Sequence, residues 1–257
     1  FYWKGDRWNE DSDLSSVYVN NLYRGVKRFA NQPFRFICFT NETIPDLDSG
    51  IETRGFSIYS SKGVLPRLYM FSEVAGLFGD QVLCLDLDLV ITGGLDTLMN
   101  YRGLFCTRAS FQDSTKVDGD IMSFRANRTN EILFWDSFLK DIEGVEEYTQ
   151  GQERRWMQFI AGDWADRWIT PGEIVSYRRH ARDWEEVPKG VSIVSFHGRP
   201  KPHQITKKWL KEYWSCEKRG ETRKNEPITA DIRALNKKVD KIYHLNKNGV
   251  KTKENKV

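Results

Sequence analysis

The chain has 257 residues, a net charge of +3, 39% hydrophobic and 29% charged residues, enough to bury a large core as one domain or as a domain plus an extension. It has no run of about 18 apolar residues, which argues against a spanning helix. Its four cysteines, Cys38, Cys84, Cys106 and Cys216, form no C-x-x-C pair, and the first three lie in apolar, strand-like runs, which favours buried free thiols in a reducing compartment over a disulfide framework or a zinc site. Charge is uneven: residues 201–257 carry 16 Lys/Arg against 7 Asp/Glu, and residues 1–200 carry 23 against 29. The body is mildly acidic and the tail basic.

The chain opens on Phe1-Tyr2-Trp3 with no initiator Met or recognisable signal peptide. That opening reads as the tail of a strand, so a trimmed start is expected. Val19, Leu22, Tyr23, Val26 and Ala30 recur at helical spacing and predict an amphipathic helix over about 15–30. Phe34, Phe36 and Cys38 alternate as in a strand, and Thr40-Asn41-Glu42 makes a turn. Another strand is expected within Ile51–Tyr59. Pro66 suits the first turn of a helix running to about Phe78. Gly79-Asp80 stops it, and an apolar strand over 82–91 follows.

Further strands are expected at Gly103–Arg108, Ile121–Phe124, Trp168–Tyr177 and Val191–Phe196. Helices are expected from a Thr129 cap to Leu139, over Gly151–Ile160 and over Lys207–Tyr213. Trp209, Tyr213 and Trp214 on the last of these are expected to dock on the body. Beyond Cys216 the chain turns polar and charged, with little to bury. The alternation of strands and helices predicts an α/β sheet with parallel strands.

Chemistry concentrates at the end of the most apolar strand. Val82-Leu83-Cys84-Leu85 reads as buried on both faces, and Asp86-Leu87-Asp88 follows it directly. Buried carboxylates need a cation, donors or water. Two Asp at i and i+2 on extended chain share a side, which suits a hard divalent cation. Asp-x-Asp alone is weak, because the 19 aspartates form four such pairs: Asp11/Asp13, Asp46/Asp48, Asp86/Asp88 and Asp118/Asp120. The first two lie in polar, turn-rich stretches, and Asp118/Asp120 is a secondary candidate.

A second segment, Ile193-Val194-Ser195-Phe196-His197-Gly198-Arg199-Pro200-Lys201-Pro202, brings His197 to a strand end. Gly198 permits close backbone approach to a ligand, and Lys201 adds a cation. Two carboxylates, an imidazole and an ammonium can hold a metal-bound diphosphate and stabilise it as a leaving group. The ligand types suit manganese or magnesium better than zinc.

These two segments, in this order, resemble the GT-A nucleotide-sugar glycosyltransferases, and within them the family 8 group of glycogenin and the lipopolysaccharide galactosyltransferases. That group carries an apolar strand ending in D-x-D and a later H-G-x-x-K-P. The opening is similar too, in Tyr18-Val19-Asn20-Asn21-Leu22-Tyr23-Arg24-Gly25 and Phe36-Ile37-Cys38-Phe39-Thr40. The resemblance covers about 1–203. It implies a GT-A fold with a mostly parallel central sheet flanked by helices over 1–215, and a basic extension, helical or disordered, over 216–257.

The resemblance further implies Asp86, Asp88 and His197 as ligands of Mn2+ or Mg2+. Tyr2, Trp3, Arg67, Asp86, Leu87, Gly198 and Lys201 would meet the nucleotide-sugar donor, expected to be a UDP-sugar. The acceptor would be a hydroxyl of a glycan or lipid-linked sugar, as in polysaccharide or lipopolysaccharide synthesis. No nucleic-acid partner is expected. A cytoplasmic location is expected, with the basic tail as a peripheral contact to the inner face of a membrane.

The chain departs from the group's pattern twice. Asp118-Gly119-Asp120 stands where an N-S-G-type segment is frequent, and Gly151-Gln152-Glu153 stands for G-D-Q. Asp118, Asp120 and Glu153 are therefore candidate general bases or holders of sugar hydroxyls, and the stereochemical course stays open. Two other readings remain. One is a haloacid-dehalogenase-like phosphatase with Asp86 as nucleophile and Asp88 as acid/base, which leaves the His197 segment unexplained. The other is a non-catalytic sugar-binding module built on exposed Trp, which needs no metal ligands.

Overall fold

A computed structural model describes residues 1–3, 15–57, 62–168 and 172–214. The extension expected over 216–257, and with it Cys216, lies outside these residues, as do Ile58 and Tyr59 at the end of the strand expected through Tyr59.

Among the described residues, nine strands are interspersed with helices. β1 (Phe36–Thr40) and β2 (Ile51–Gly55) pair in parallel, and Tyr2 forms a parallel bridge to Thr40. β3 (Gln81–Leu85), β5 (Phe105–Ala109), β6 (Val117–Arg125) and β7 (Asp166–Trp168) form a four-stranded sheet in the order β3-β6-β5-β7. β4 (Leu89–Ile91), β8 (Ile174–Ser176) and β9 (Ile193–Ser195) form a third sheet in the order β4-β9-β8. Pairing is mixed: β1–β2, β5–β7 and β8–β9 are parallel, while β3–β6, β5–β6 and β4–β9 are antiparallel.

The run read as one strand over 82–91 is two strands in two sheets. β3 ends at Leu85, a turn covers Asp86–Asp88, and β4 starts at Leu89, whose N–H bonds the Asp86 carbonyl at 3.3 Å. Asp86 and Asp88 therefore do not share one face of extended chain. The turn lets the first follow one sheet and the second another. The stretch after Pro66 is not an α-helix either. It is a 3-10 helix over Leu65–Phe71 and a second over Glu73–Ala75, broken at Ser72, whose backbone is extended. All seven residues of the first are buried, so tertiary packing rather than helical propensity sets its path.

The helix Ser16–Phe29 has the expected bounds to within a residue. The helical stretch from Arg128 to Lys140 is capped by the Asn127 side chain, not by Thr129, and carries a π-helical segment over Glu131–Asp136. An aromatic cluster packs there: Phe71 lies 4.4 Å from Phe134 and 4.5 Å from Phe124. Rings of this size supply much of the burial that stabilises a core. The helix Lys208–Trp214 docks on the body as expected, with Trp209 and Leu210 buried and Trp214 5.2 Å from Tyr18. Cys38 and Cys106 are buried free thiols, and Cys84 is a partly buried one. No described helix is long and apolar enough to cross a membrane.

Candidate functional site

Three strand ends converge on the Asp86–Asp88 turn. The β3–β6 ladder continues one step, so that the Asp86 N–H donates to the Asp120 carbonyl at 2.9 Å. The β4–β9 ladder does the same on the other side, where the Phe196 N–H donates to the Asp88 carbonyl at 3.2 Å. Backbone pairing alone thus sets Asp86 beside Asp120 and Asp88 next to the residue preceding His197. Between β5 and β6 the register slips: Thr107 pairs with Met122, but Ala109 pairs with Val117. Asp118-Gly119-Asp120 therefore bulges out opposite Arg108, inside β6 rather than ahead of it. Bulges re-aim side chains in this way at sheet rims.

Two buried arginines organise the carboxylates. Arg67 is 6% exposed and bonds Asp86 at 2.8 Å, Glu153 at 2.7 Å and the Gly119 carbonyl at 2.9 Å. Burial works against its charge, but Asp86 and Glu153 overcome that and hold the guanidinium above its ordinary value. A Cβ on Gly119 would come within 2.8 Å of the Glu153 carboxylate, so a side chain there would push that carboxylate out of its place against Arg67.

Arg108 forks onto Asp120, Nε to Oδ1 at 2.8 Å and Nη2 to Oδ2 at 2.9 Å, and it also reaches Asp118 at 2.8 Å. Such bidentate pairs are among the stronger ionic contacts. Ser195 donates to Asp120 at 2.8 Å. The Arg108 guanidinium lies 3.7 Å over the Phe111 ring, and the His197 ring stacks on Phe111 at 5.5 Å.

Asp88 is ion-paired with Lys201, whose ammonium also lies 3.5 Å from the Phe196 carbonyl. His197 Nε2 is hydrogen-bonded to the Ser176 hydroxyl at 2.7 Å. Desolvation lowers the His197 pKa; Asp120 pulls the other way and Arg108 pushes further down. The imidazole is therefore neutral near pH 7, the form that ligates metals. Desolvation raises the Asp86 pKa to about 8; Arg67 opposes this, while Asp88, Asp120 and Glu153 add to it. Desolvation likewise raises Glu153, again against Arg67.

The sequence-expected residues divide into groups. Asp86, Arg67, Glu153 and the Gly119 backbone meet at one side of the turn, and Asp88 and Lys201 at the other. Asp118 and Asp120 share Arg108. His197 sits on Phe111. Gly198 has φ +74, a conformation that favours glycine. Tyr2 lies along β1, its N–H bonded to the Phe39 carbonyl at 2.8 Å, and Trp3 packs against Phe56. Leu87 contributes to apolar packing. Arg108, Phe111, Ser176 and Ser195 were not expected from sequence. Arg108 had a signal, a charge ending the apolar run Phe105-Cys106-Thr107, the same pattern that marks Asp86.

Among the described residues, no three His, Cys, Asp or Glu side chains already gather as one metal-binding group. The donor chemistry nonetheless suits a hard divalent ion: two carboxylates, a neutral imidazole and an excess of negative charge around Asp86.

No protein-family model matches the chain, and no curated protein matches it. Solved structures do. The glycosyltransferase GlyE of Streptococcus pneumoniae TIGR4 superposes with a TM-score of 0.59 at 13% identity, over 83% of this chain and 59% of GlyE. The fold is that of the GT-A glycosyltransferases. The galactosyltransferase LgtC, in complex with donor and acceptor sugar analogs, gives a TM-score of 0.54 at 14% identity, over 78% of this chain and 87% of LgtC. The bifunctional glycosyltransferase WbbM gives 0.51 at 12% identity, over 78% of this chain and 45% of WbbM. The chain thus spans under two thirds of GlyE and WbbM and most of LgtC.

Proposed function

We propose that the chain is a metal-dependent glycosyltransferase that moves a sugar from a nucleotide diphosphate, a UDP-sugar, to a hydroxyl of a glycan or lipid-linked acceptor. The observation that carries this is the Asp86–Asp88 turn, set by backbone pairing beside both β6 and the segment leading to His197, on a GT-A fold. Ligands in open α/β sheets bind beyond the strand ends, and this turn is such an end.

Asp86, Asp88 and His197 would hold Mn2+ or Mg2+. Such an ion would supply Lewis-acid stabilisation of charge on a departing diphosphate. Lys201, now paired with Asp88, is the cation that would meet that diphosphate. Arg67 fixes Asp86 and Glu153 relative to each other, and Gly198, with its positive φ, would present backbone to the phosphates. Tyr2 and Trp3 would lie toward the nucleotide.

Of the three candidate carboxylates, Asp120 accepts from Arg108 twice and from Ser195, and Glu153 is buried against Arg67. We read both as positioning residues. Asp118, with 22% of its side chain exposed, is left as the acceptor-side carboxylate, for a sugar hydroxyl or its proton.

A panel of nucleotide sugars, assayed for hydrolysis and transfer with and without Mn2+ and alongside Asp88→Ala, tests the reading. Activity that ignores both metal and Asp88 would defeat it. Release of phosphate from simple phosphomonoesters through an aspartyl-phosphate at Asp86 would replace it with the phosphatase, and sugar binding without turnover would replace it with the binding module.

A further inference from the structure

Five carboxylates surround the turn, Asp86, Asp88, Asp118, Asp120 and Glu153. They face three cations, Arg67, Arg108 and Lys201, each of which is ion-paired with at least one of them. A divalent ion at Asp86 and Asp88 would bring these charges into balance. A diphosphate would then add negative charge that none of the three cations can meet without giving up a carboxylate.

A further strand end supplies a cation that is not tied in this way. β8 runs parallel to β9, with Ser176 level with Ser195. The side chains carry that pairing one step on: Tyr177 and Phe196, both buried, stack at 4.4 Å. Arg178 follows at the level of His197 and Gly198, in the π-helical turn Tyr177–Ala181. Its guanidinium lies against Gly198, where a Cβ would come within 3.2 Å of Nη1. Arg178 is exposed, and among the described residues its side chain makes no hydrogen bond or ion pair. Its neighbours are fixed: Ser176 Oγ bonds His197 Nε2 at 2.7 Å, and Arg179 donates to the Phe111 carbonyl at 2.9 Å.

Given the function proposed above, on which this rests, we infer that Arg178 is a phosphate-binding residue, a second cation beside Lys201 for the diphosphate of the nucleotide-sugar donor. Neither sequence motif contains it. The sheet order β4-β9-β8 sets the two cations on opposite sides of the His197–Gly198 segment that ends β9. Lys201 comes from the Asp88 side, ahead of β4, and Arg178 from the end of β8. With no side chain, Gly198 lets the guanidinium lie close to the backbone past which the phosphates would run. A planar guanidinium meets phosphate through two parallel N–H bonds. A structural arginine in this fold holds a carboxylate or a carbonyl, as Arg67, Arg108 and Arg179 do; Arg178 holds neither.

The test is calorimetric titration of UDP, with Mn2+ present, into the parent, Arg178→Ala and Arg178→Lys. Arg178→Ala should bind UDP about tenfold more weakly than the parent, and Arg178→Lys should fall between the two. The affinity of Arg178→Ala should also fall less steeply with added NaCl than that of the parent. The side chain is exposed, so the melting temperature of the ligand-free protein should not move. Equal UDP affinity in parent and Arg178→Ala would overturn the inference and leave the proposed function standing. A parent that does not bind UDP would overturn both. A loss of affinity with an unchanged salt dependence would give Arg178 a packing role and overturn the inference. So would unchanged UDP affinity together with Arg178-dependent binding of inorganic phosphate to the UDP-saturated chain, which would assign the residue to a phosphate on the acceptor.

Discussion

Arg67 and Arg108 both lie buried beneath the site and both hold two carboxylates, but they leave those carboxylates in different states. Arg108 satisfies Asp120 with a two-pronged bond, Ser195 adds a third, and only 8% of the Asp120 side chain is exposed. Arg67 reaches Asp86 with one nitrogen that it shares with Glu153, and 33% of the Asp86 side chain faces outward. Asp86 is also the carboxylate pushed up to about 8 by burial and by its acidic neighbours. A saturated carboxylate is scaffold. A crowded, singly paired and only partly buried one is the kind whose charge a cation would relieve. On the proposed function, the difference separates the part of the site that holds shape from the part that would meet ligand.

Substitutions can break this contrast. Asp88→Ala should lower Mn2+-dependent donor turnover by about 10³-fold or more, because it removes a proposed ligand and the partner of Lys201. Steady-state kinetics with circular dichroism to confirm folding would check it. Arg108→Met should instead act on stability. It leaves Asp120 buried without its partner, at a cost of about 3 kcal/mol, read by urea denaturation without donor or metal. Lys201→Ala should lower kcat by about 10²-fold while barely moving the melting temperature.

Glu153→Gln is sharper than any of these. A general base would lose about 10²-fold or more; a positioning residue keeps its hydrogen bond to Arg67 and should lose less than about tenfold.

The smallest effect concerns pH. The folded-state pKa of Asp86 is raised, so its ionisation opposes folding. In metal-free protein that penalty is absent below the ordinary carboxylate value near 4 and grows as pH rises toward about 8. Asp86→Asn should therefore melt higher than the parent at pH 8, with the gap closing at pH 4, in thermal scans in the presence of chelator.

The fold and the core of the site were legible in the sequence to different degrees. Val82–Leu85 followed by two aspartates pointed to a strand end, and it is one. The break between β3 and β4 was not legible, because Leu89-Val90-Ile91 is as apolar as Val82–Leu85 and the turn between them contains neither Gly nor Pro. Side-chain pattern carries no record of which sheet a strand joins. The β6 bulge was hidden for a similar reason. Asp118 and Asp120 read as residues ahead of a strand until the register slip against Arg108 placed them inside one. The π-helical segment and the 3-10 helices after Pro66 follow from packing around Phe71, Phe124 and Phe134, which local propensity does not encode.

The central claim is that Asp86, Asp88 and His197 hold a divalent ion against a nucleotide diphosphate. It is tested most directly by calorimetric titration of UDP into the chain with Mn2+ and with chelator, for the parent and for Asp88→Ala. The account predicts Mn2+-dependent binding by the parent and a loss of about tenfold or more in affinity in the variant. UDP binding of equal strength with chelator, or in Asp88→Ala, would contradict it.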